Sequence, residues 1–394
     1  MSGYVLAQQT YRARVVDAET GEPLPYASVY VSEKKSALTN PEGFYSVELN
    51  KGESLRISAI GYSTETMAAD QSVSLVKLNP LVPTGETVEE GRLRKTMETM
   101  AKHMGKEYRR HAFAKRMFFH RISIHVGDRH ESAEVLQTSQ SALSIGDTYY
   151  WCGRRNGTIG EAGTDAFYSH MCDLSELGPA IVETDKWKGI IQPFHIRLAS
   201  GFDRTGDAIY SEYSGPPGPA HPIFKVVAVM DYENFRYDAE GMKDSKGNGI
   251  YKIDMRYVSS GKGETRRLIN GMYLSTKEPA CILEGTAYVD ARKKQLLAFE
   301  GRLMGYIVPL SKGSQDGDIR LKIMYTHERG YTEVESLACT AQSGELLCTS
   351  ALLNIRDMVN QKMHGKDGQT TFIRCLEENG NDVSPWPRDV ILPY

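Results

Sequence analysis

The stretch YRARVVDAETGEPLPYASVYV, residues 11–31, decides how the first part of this chain folds. Tyr11 to Val16 reads as a strand. Asp17-Ala18-Glu19-Thr20-Gly21 reads as a hairpin-like turn whose glycine supplies a positive φ. Pro23 and Pro25 bracket an extended stretch, as proline does at a sheet edge. Ala27, Val29 and Val31 then alternate with Ser28, Tyr30 and Ser32, the two-residue period of a half-buried strand. Working outward, Asn40-Pro41-Glu42-Gly43 is a second turn. Tyr45, Val47 and Leu49 alternate with Ser46, Glu48 and Asn50, and Lys51-Gly52-Glu53 turns the chain again. Leu55, Ile57 and Ala59 form the next inward face, Gly61-Tyr62 ends it, and Val73 to Leu78 closes the set. Short strands at this spacing predict a β-sandwich over residues 10–80.

Three pieces of this region form a specific set. They are D-x-x-T-G-x-P-L-x-x-A-x-V from Asp17 to Val29, T-N-x-x-G-x-[FY]-x-[VL] from Thr39 to Val47, and the closing Ile60-Gly61-Tyr62. Together they resemble the carboxypeptidase regulatory-like (prealbumin-like) domain of bacterial envelope proteins, over about a fifth of the chain. The resemblance implies a structural or binding appendage, found in some relatives ahead of the plug and barrel of TonB-dependent transporters. It implies no catalytic residue and no peptidase activity.

The whole chain has 394 residues, 40% of them apolar and 25% charged, with a formal net charge of -3. That is a globular composition with room for more than one core. The charges are interspersed, and Arg266-Arg267 and Lys293-Lys294 make no basic stripe, so no nucleic-acid partner is expected. No apolar run reaches the roughly 18 to 20 residues of a spanning helix. The β-segments lack the repeated apolar-out pattern of a membrane barrel, and the chain reads as soluble. Residues 1–9, with Val5-Leu6-Ala7 before Gln8, read as the remnant of a truncated signal peptide. The alternative is an N-terminus without meaning. Export would place the protein in the periplasm or at the outer-membrane periphery. No cysteine at that junction indicates a lipid anchor.

The six cysteines include no C-x-x-C pair, so no zinc ribbon or thioredoxin-like site is expected. In CTAQSGELLC, a two-residue turn at Ser343-Gly344 would set Cys339 directly opposite Cys348, close enough for a disulfide. Two buried free thiols are the other reading.

Residues 81–104 read as a polar linker followed by an amphipathic helix over Glu89 to Met104, with Leu93, Met97, Met100 and Met104 on one face. That methionine-rich face fits packing against a sheet better than a ligand surface. Residues 105–394 read as a larger α+β domain with a long, curved antiparallel sheet. Alternation in Tyr251 to Tyr257, Thr286 to Asp290 and Ile319 to Tyr325 marks strands. Turns are expected at Lys246-Gly247-Asn248-Gly249, Gly261-Lys262-Gly263 and Asp316-Gly317. Phe113 to Val126 reads as a strand, and helices are expected over Ser132 to Ser144 and Thr349 to Met363. The order of elements, with Gly285 to Asp290 as a G-x-x-Y-[IV]-D strand, loosely resembles periplasmic lipoprotein carriers, whose half-open sheet curves around a helix.

No motif reads as a catalytic centre, cofactor site or metal site. His120, His125 and His130 invite a zinc reading, but His120 and His125 lie on opposite faces of one strand. A core histidine explains His120 better, and no H-E-x-x-H is present. Ser32-Glu33-Lys34-Lys35 matches S-x-x-K only by letters. Gly261 to Thr265 lacks Walker spacing, and Asp238 to Asp254 does not fit a calcium loop. Two function classes follow. One is a non-catalytic binding or assembly protein, with the sandwich docking to an outer-membrane protein partner and the curved sheet offering an apolar concavity to a lipid, glycan or peptide. The other is a hydrolase with an unrecognised site in the C-terminal domain.

Overall fold

The computed structural model describes residues 9–32, 35–50, 52–68, 73–96, 99–100, 116–126, 129–139, 148–157, 181–184, 187–191, 235–257, 265–269, 272–276, 282–310, 313–330, 332–343 and 346–355. These residues are mostly β, as the alternation predicts. The first seven strands are β1 (Gln9–Asp17), β2 (Ser28–Ser32), β3 (Lys35–Leu38), β4 (Phe44–Leu49), β5 (Ser54–Ser58), β6 (Glu65–Ala68) and β7 (Leu75–Leu78). They form two sheets, ordered β4-β1-β7 and β3-β2-β5-β6. β1 runs antiparallel to β4 and parallel to β7. Between the sheets lies a core of Val15, Val29, Tyr45, Leu55, Ile57 and Leu78. Each such apolar side chain contributes about 1.5–3 kcal/mol by leaving water. Gly43 is required on two counts. Its φ is +82°, and a Cβ there would stand 2.5 Å from the Val15 carbonyl oxygen.

The segment read as a linker begins with an edge strand, β8 (Val82–Thr87), whose residues are all exposed. Thr84 Oγ1 donates to the Gly241 carbonyl at 3.0 Å. Residues 90–96 and 99–100 are helical. Leu93, Thr96 and Met100 are buried at helical spacing. Met97 and Met104 lie outside the described residues.

The remaining strands are β9 (Arg116–Val126), β10 (Arg129–Ser139), β11 (Thr148–Gly157), β12 (Ile181–Thr184), β13 (Trp187–Ile191), β14 (Phe235–Lys243), β15 (Gly249–Tyr257), β16 (Thr265–Ile269), β17 (Met272–Thr276), β18 (Ile282–Asp290), β19 (Leu296–Leu310), β20 (Gly313–Thr326), β21 (Glu333–Ser343) and β22 (Leu346–Asn354). β12–β13 and β16–β17 are separate hairpins. The rest, with β8, form one eleven-stranded sheet ordered β11-β10-β9-β22-β21-β20-β19-β18-β15-β14-β8. Its longest-range join pairs β9 antiparallel with β22.

Alternation along these strands sorts the large sheet into two faces. Tyr251, Ile253, Ala287, Val289, Phe299, Ile323, Leu337 and Leu352 follow one another across the register and are all buried. This row of the sheet is therefore covered. At its Tyr251 end, the helical Arg92 places its guanidinium 5.5 Å from the tyrosine ring centroid. On this face Phe299 lies over the opposed pair Gly285 and Gly301, where an added Cβ would come within 2.6 Å of its ring. The glycine of the G-x-x-Y-V-D strand thus seats an aromatic ring.

Three expectations are corrected. Ser132 to Ser139 is strand, paired on both sides with β9 and β11. Its helix-compatible composition yields to those two ladders. Thr349 to Asn354 is strand between β21 and β9 for the same reason. Asp316-Gly317 lies inside β20, paired with Tyr306 and Ile307, and no turn falls there. Residues 140–144 and 356–363 lie outside the described residues.

Candidate functional site

The sandwich signature is built of residues that hold one another. Asp17 Oδ1 accepts the N–H groups of Glu19 and Thr20 at 2.7 and 3.0 Å. Its Oδ2 accepts the Tyr62 hydroxyl at 2.8 Å. Thr39 Oγ1 accepts the Ala27 N–H at 2.8 Å and donates to the Leu24 carbonyl at 2.6 Å. This bracket holds the Pro25-Tyr26 turn, where Tyr26 has a φ of 59°. Asn40 Oδ1 accepts the Phe44 N–H at 2.9 Å. The polar side chains of the signature are thus committed to turns.

The outer face of the β3-β2-β5-β6 sheet lies on the large sheet. Glu335 on β21 accepts the Ser28 hydroxyl and, at 3.1 Å, Arg56 Nη2. Arg56 Nη1 reaches Glu328 at 2.6 Å, and its guanidinium lies 4.8 Å from the Tyr30 ring centroid. Glu335 is only 8% exposed at its side chain, so water screens this ion pair little. The Ser245 N–H donates to Ser63 Oγ at 2.8 Å across the same seam. Beside these groups Leu24, Tyr26, Leu38, Met324 and Ala338 close around a residual gap of about 40 Å³. The sandwich is therefore docked on its own chain.

Farther along the seam lies a cleft of about 750 Å³, within the size range of small-molecule sites. Ile60, Leu81, Ile250, Tyr288, Leu297 and Met324 give it an apolar floor. One wall is the Ala59–Tyr62 turn, held by the Tyr62–Asp17 bond. The other consists of three hairpin ends at one edge of the sheet, around Asn248, Arg292 and His327. Asp244 caps the first by accepting the Lys246 and Asn248 N–H groups, and Asp290 caps the second by accepting those of Arg292 and Lys293. His327 braces the third, with Nε2 2.8 Å from the Leu296 carbonyl and Nδ1 3.2 Å from Thr332 Oγ1. Burial and the neighbouring Glu300 push the Tyr288 hydroxyl well above the ordinary phenol range, so it stays neutral in the floor. The cleft thus combines an apolar base with a polar, mixed-charge rim.

The residues singled out in the sequence do not meet here. The β21–β22 register pairs Ser343 with Leu346, one residue later than the expected turn. Cys339 consequently stands opposite Ser350, and Cys348 opposite Ala341. The direct opposition that suggested a disulfide is corrected to a diagonal relationship. His125 and His130 are cross-strand partners, while His120 stands between Val135 and Leu352. Among the described residues no group of three or more His, Cys, Asp or Glu is placed to hold a metal ion. Asp238 and Asp254 face one another on β14 and β15, Asp238 pairing with Arg256 and Asp254 with Lys252 and Thr286. Ser32 and Lys35 pair in the β2–β3 hairpin. Gly261 to Glu264 lie outside the described residues, and Thr265 begins β16.

Sequence reasoning did not single out Ser28, Arg56, Glu328 or Glu335. One signal was present: Arg56 interrupts the Leu55, Ile57 alternation on the outward face of its strand, where a long cation needs a partner.

Residues 12–84 match the family described as the CarboxypepD_reg-like domain, the family that the motifs resemble. No curated protein matches the chain. Among solved structures, one described as an outer membrane lipoprotein-sorting protein domain from Vibrio parahaemolyticus is similar at 10% identity and a TM-score of 0.23. The match covers 66% of this chain and 91% of that one. A likeness at that level carries no functional argument.

Proposed function

We propose that this chain is a non-catalytic binding protein of the bacterial cell envelope, at the periplasmic side of the outer membrane, and that its ligand lies in the seam cleft. The observation that carries this reading is the cleft itself, an apolar floor under a polar rim between two docked units. The regulatory-like domain over residues 12–84 supports the envelope setting. The hydrolase alternative would need a general base in the cleft. Among the described residues His327 is the histidine lining it, with Nε2 at the Leu296 carbonyl of β19 and Nδ1 at Thr332 of its own hairpin. Its ring is thereby used to join two hairpins, which favours the binding reading. The ligand is expected to be a lipid, glycan or peptide with an apolar portion that matches the floor.

The test is purification of the full chain from its native host envelope, followed by solvent extraction and mass spectrometry of what accompanies it. An Ala298→Trp variant, which fills the floor, is handled identically. A compound that accompanies the wild type and is lost from the variant supports the reading. Equal recovery from both, or a cytosolic protein, overturns it.

A further inference from the structure

The other sheet of the sandwich, β4-β1-β7, turns its outer face away from the large sheet. Among the described residues three large apolar side chains are exposed, and two of them, Phe44 at 45% and Leu75 at 43%, lie on this face. They are not scattered. The register places both opposite Arg14, Phe44 on β4 and Leu75 on β7. A single exposed leucine is ordinary, whereas an apolar pair flanking a cation in one row marks a contact surface.

Arg14 is held in place. Its Nε donates to the Glu42 carbonyl at 2.8 Å, and its guanidinium lies 5.3 Å from the Phe44 ring centroid. The two terminal nitrogens have no partner among the described residues. A guanidinium fixed at Nε and by stacking presents its remaining N–H groups as a ready fork for a carboxylate. Arg12, opposite Ser46, and Lys77, opposite Val16, extend the positive charge along the face, against Glu48 among the described residues of these three strands.

We propose that this face docks a protein segment in which an acidic side chain is flanked by aliphatic ones. The carboxylate is taken by Arg14, and the aliphatic groups cover Phe44 and Leu75. The charge balance selects an acidic partner. A cation held in one orientation suits one carboxylate better than a diffuse layer of lipid headgroups.

The experiment measures binding of the full chain to a fluorescent peptide that alternates leucine and aspartate. Its asparagine counterpart and vesicles of phosphatidylglycerol with phosphatidylcholine serve as the other probes. The aspartate peptide is expected to bind roughly tenfold more tightly than the asparagine one, the value of one charge-assisted contact. Arg14→Gln should abolish that preference, and Arg14→Lys should reduce it, because lysine keeps the charge and loses the fork. Leu75→Ser, at a side chain 43% exposed, should weaken both peptides and leave their ratio unchanged. The proposal is overturned by equal binding of the two peptides, or by a preference that survives Arg14→Gln. It is also overturned by Arg14-dependent binding to vesicles without peptide binding, or by self-association of the chain that Phe44→Asp abolishes.

Discussion

The hydroxyl of Tyr62 donates to Oδ2 of Asp17 at 2.8 Å, so the last residue of the sandwich signature closes on its first. The N–H of Thr20, then Tyr62 and the N–H of Glu19, hold the Asp17 carboxyl below its ordinary range. A carboxyl depressed in the folded state contributes stability above its unfolded pKa, about 3.9, and loses it as pH falls through the folded value. Thermal melts should therefore show stability declining below about pH 4. Asp17→Asn should melt lower at neutral pH and decline less steeply in acid.

Tyr62 shows the opposite sign. Burial, then its bond to Asp17, raises the phenol to about 12. That contribution is complete below the unfolded pKa of about 10 and is lost as pH rises through the folded value. Tyr62→Phe should remove this share of alkaline destabilisation. At neutral pH it should cost at most about 1 kcal/mol, since the bond is partly solvated. Urea unfolding across the alkaline range measures both.

At Gly301 an added Cβ would stand 2.6 Å from Phe299 Cε1 and 2.7 Å from the Glu284 carbonyl oxygen. Gly301→Ala is expected to cost about 1–3 kcal/mol by overpacking. In a Phe299→Leu background the part owed to the ring should be relieved and the part owed to Glu284 should persist. A double-mutant cycle reads the coupling.

Glu335→Ala strips the buried Ser28 hydroxyl of its acceptor and leaves Arg56 with Glu328 alone. A loss of about 2 kcal/mol is expected. Backbone amides of β2 and β5 should exchange faster, because the sandwich is released from the sheet. Ser28→Ala, which removes donor and demand together, should cost less.

Met100 is fully buried where the helix meets the rest of the chain. Met100→Ala should cost about 2–5 kcal/mol, as a cavity there cannot collapse freely. Met100→Leu should stay within about 1.5 kcal/mol. Thermal unfolding distinguishes the two.

The sandwich was legible because its turns are written in local chemistry. Asp17 and Asn40 each bond within a few residues, and Gly43 sits at a conformation few side chains adopt. The large sheet was legible as alternation, and at Lys246 to Gly249 as a turn. It failed at Ser132 to Ser139, where a composition compatible with helix yields to ladders with the adjoining β9 and β11. It failed again at Thr349, whose partner Ser123 on β9 lies more than two hundred residues earlier. The register at Ser343 was missed by one residue, enough to separate Cys339 from Cys348. The seam was hidden for a similar reason. Arg56 and Glu335 are nearly 280 residues apart, and only the docking of two separately built units brings them together.

The antiparallel join of β9 to β22 sets Phe119 beside Leu353, more than two hundred residues later in the chain. A ribosome working at about 5–20 residues per second needs roughly 10 to 50 s to travel that distance. During that interval β10 can pair with β9 on one side, but the other edge of β9 has no strand to receive it. A long open edge is a template for pairing between chains. The sandwich, whose contacts lie within its first eighty residues, can be finished early; the sheet cannot. Until β22 is available, the sheet is half-made, with that edge of β9 open to pairing between chains. A chain cut short before Leu346 would remain in that state.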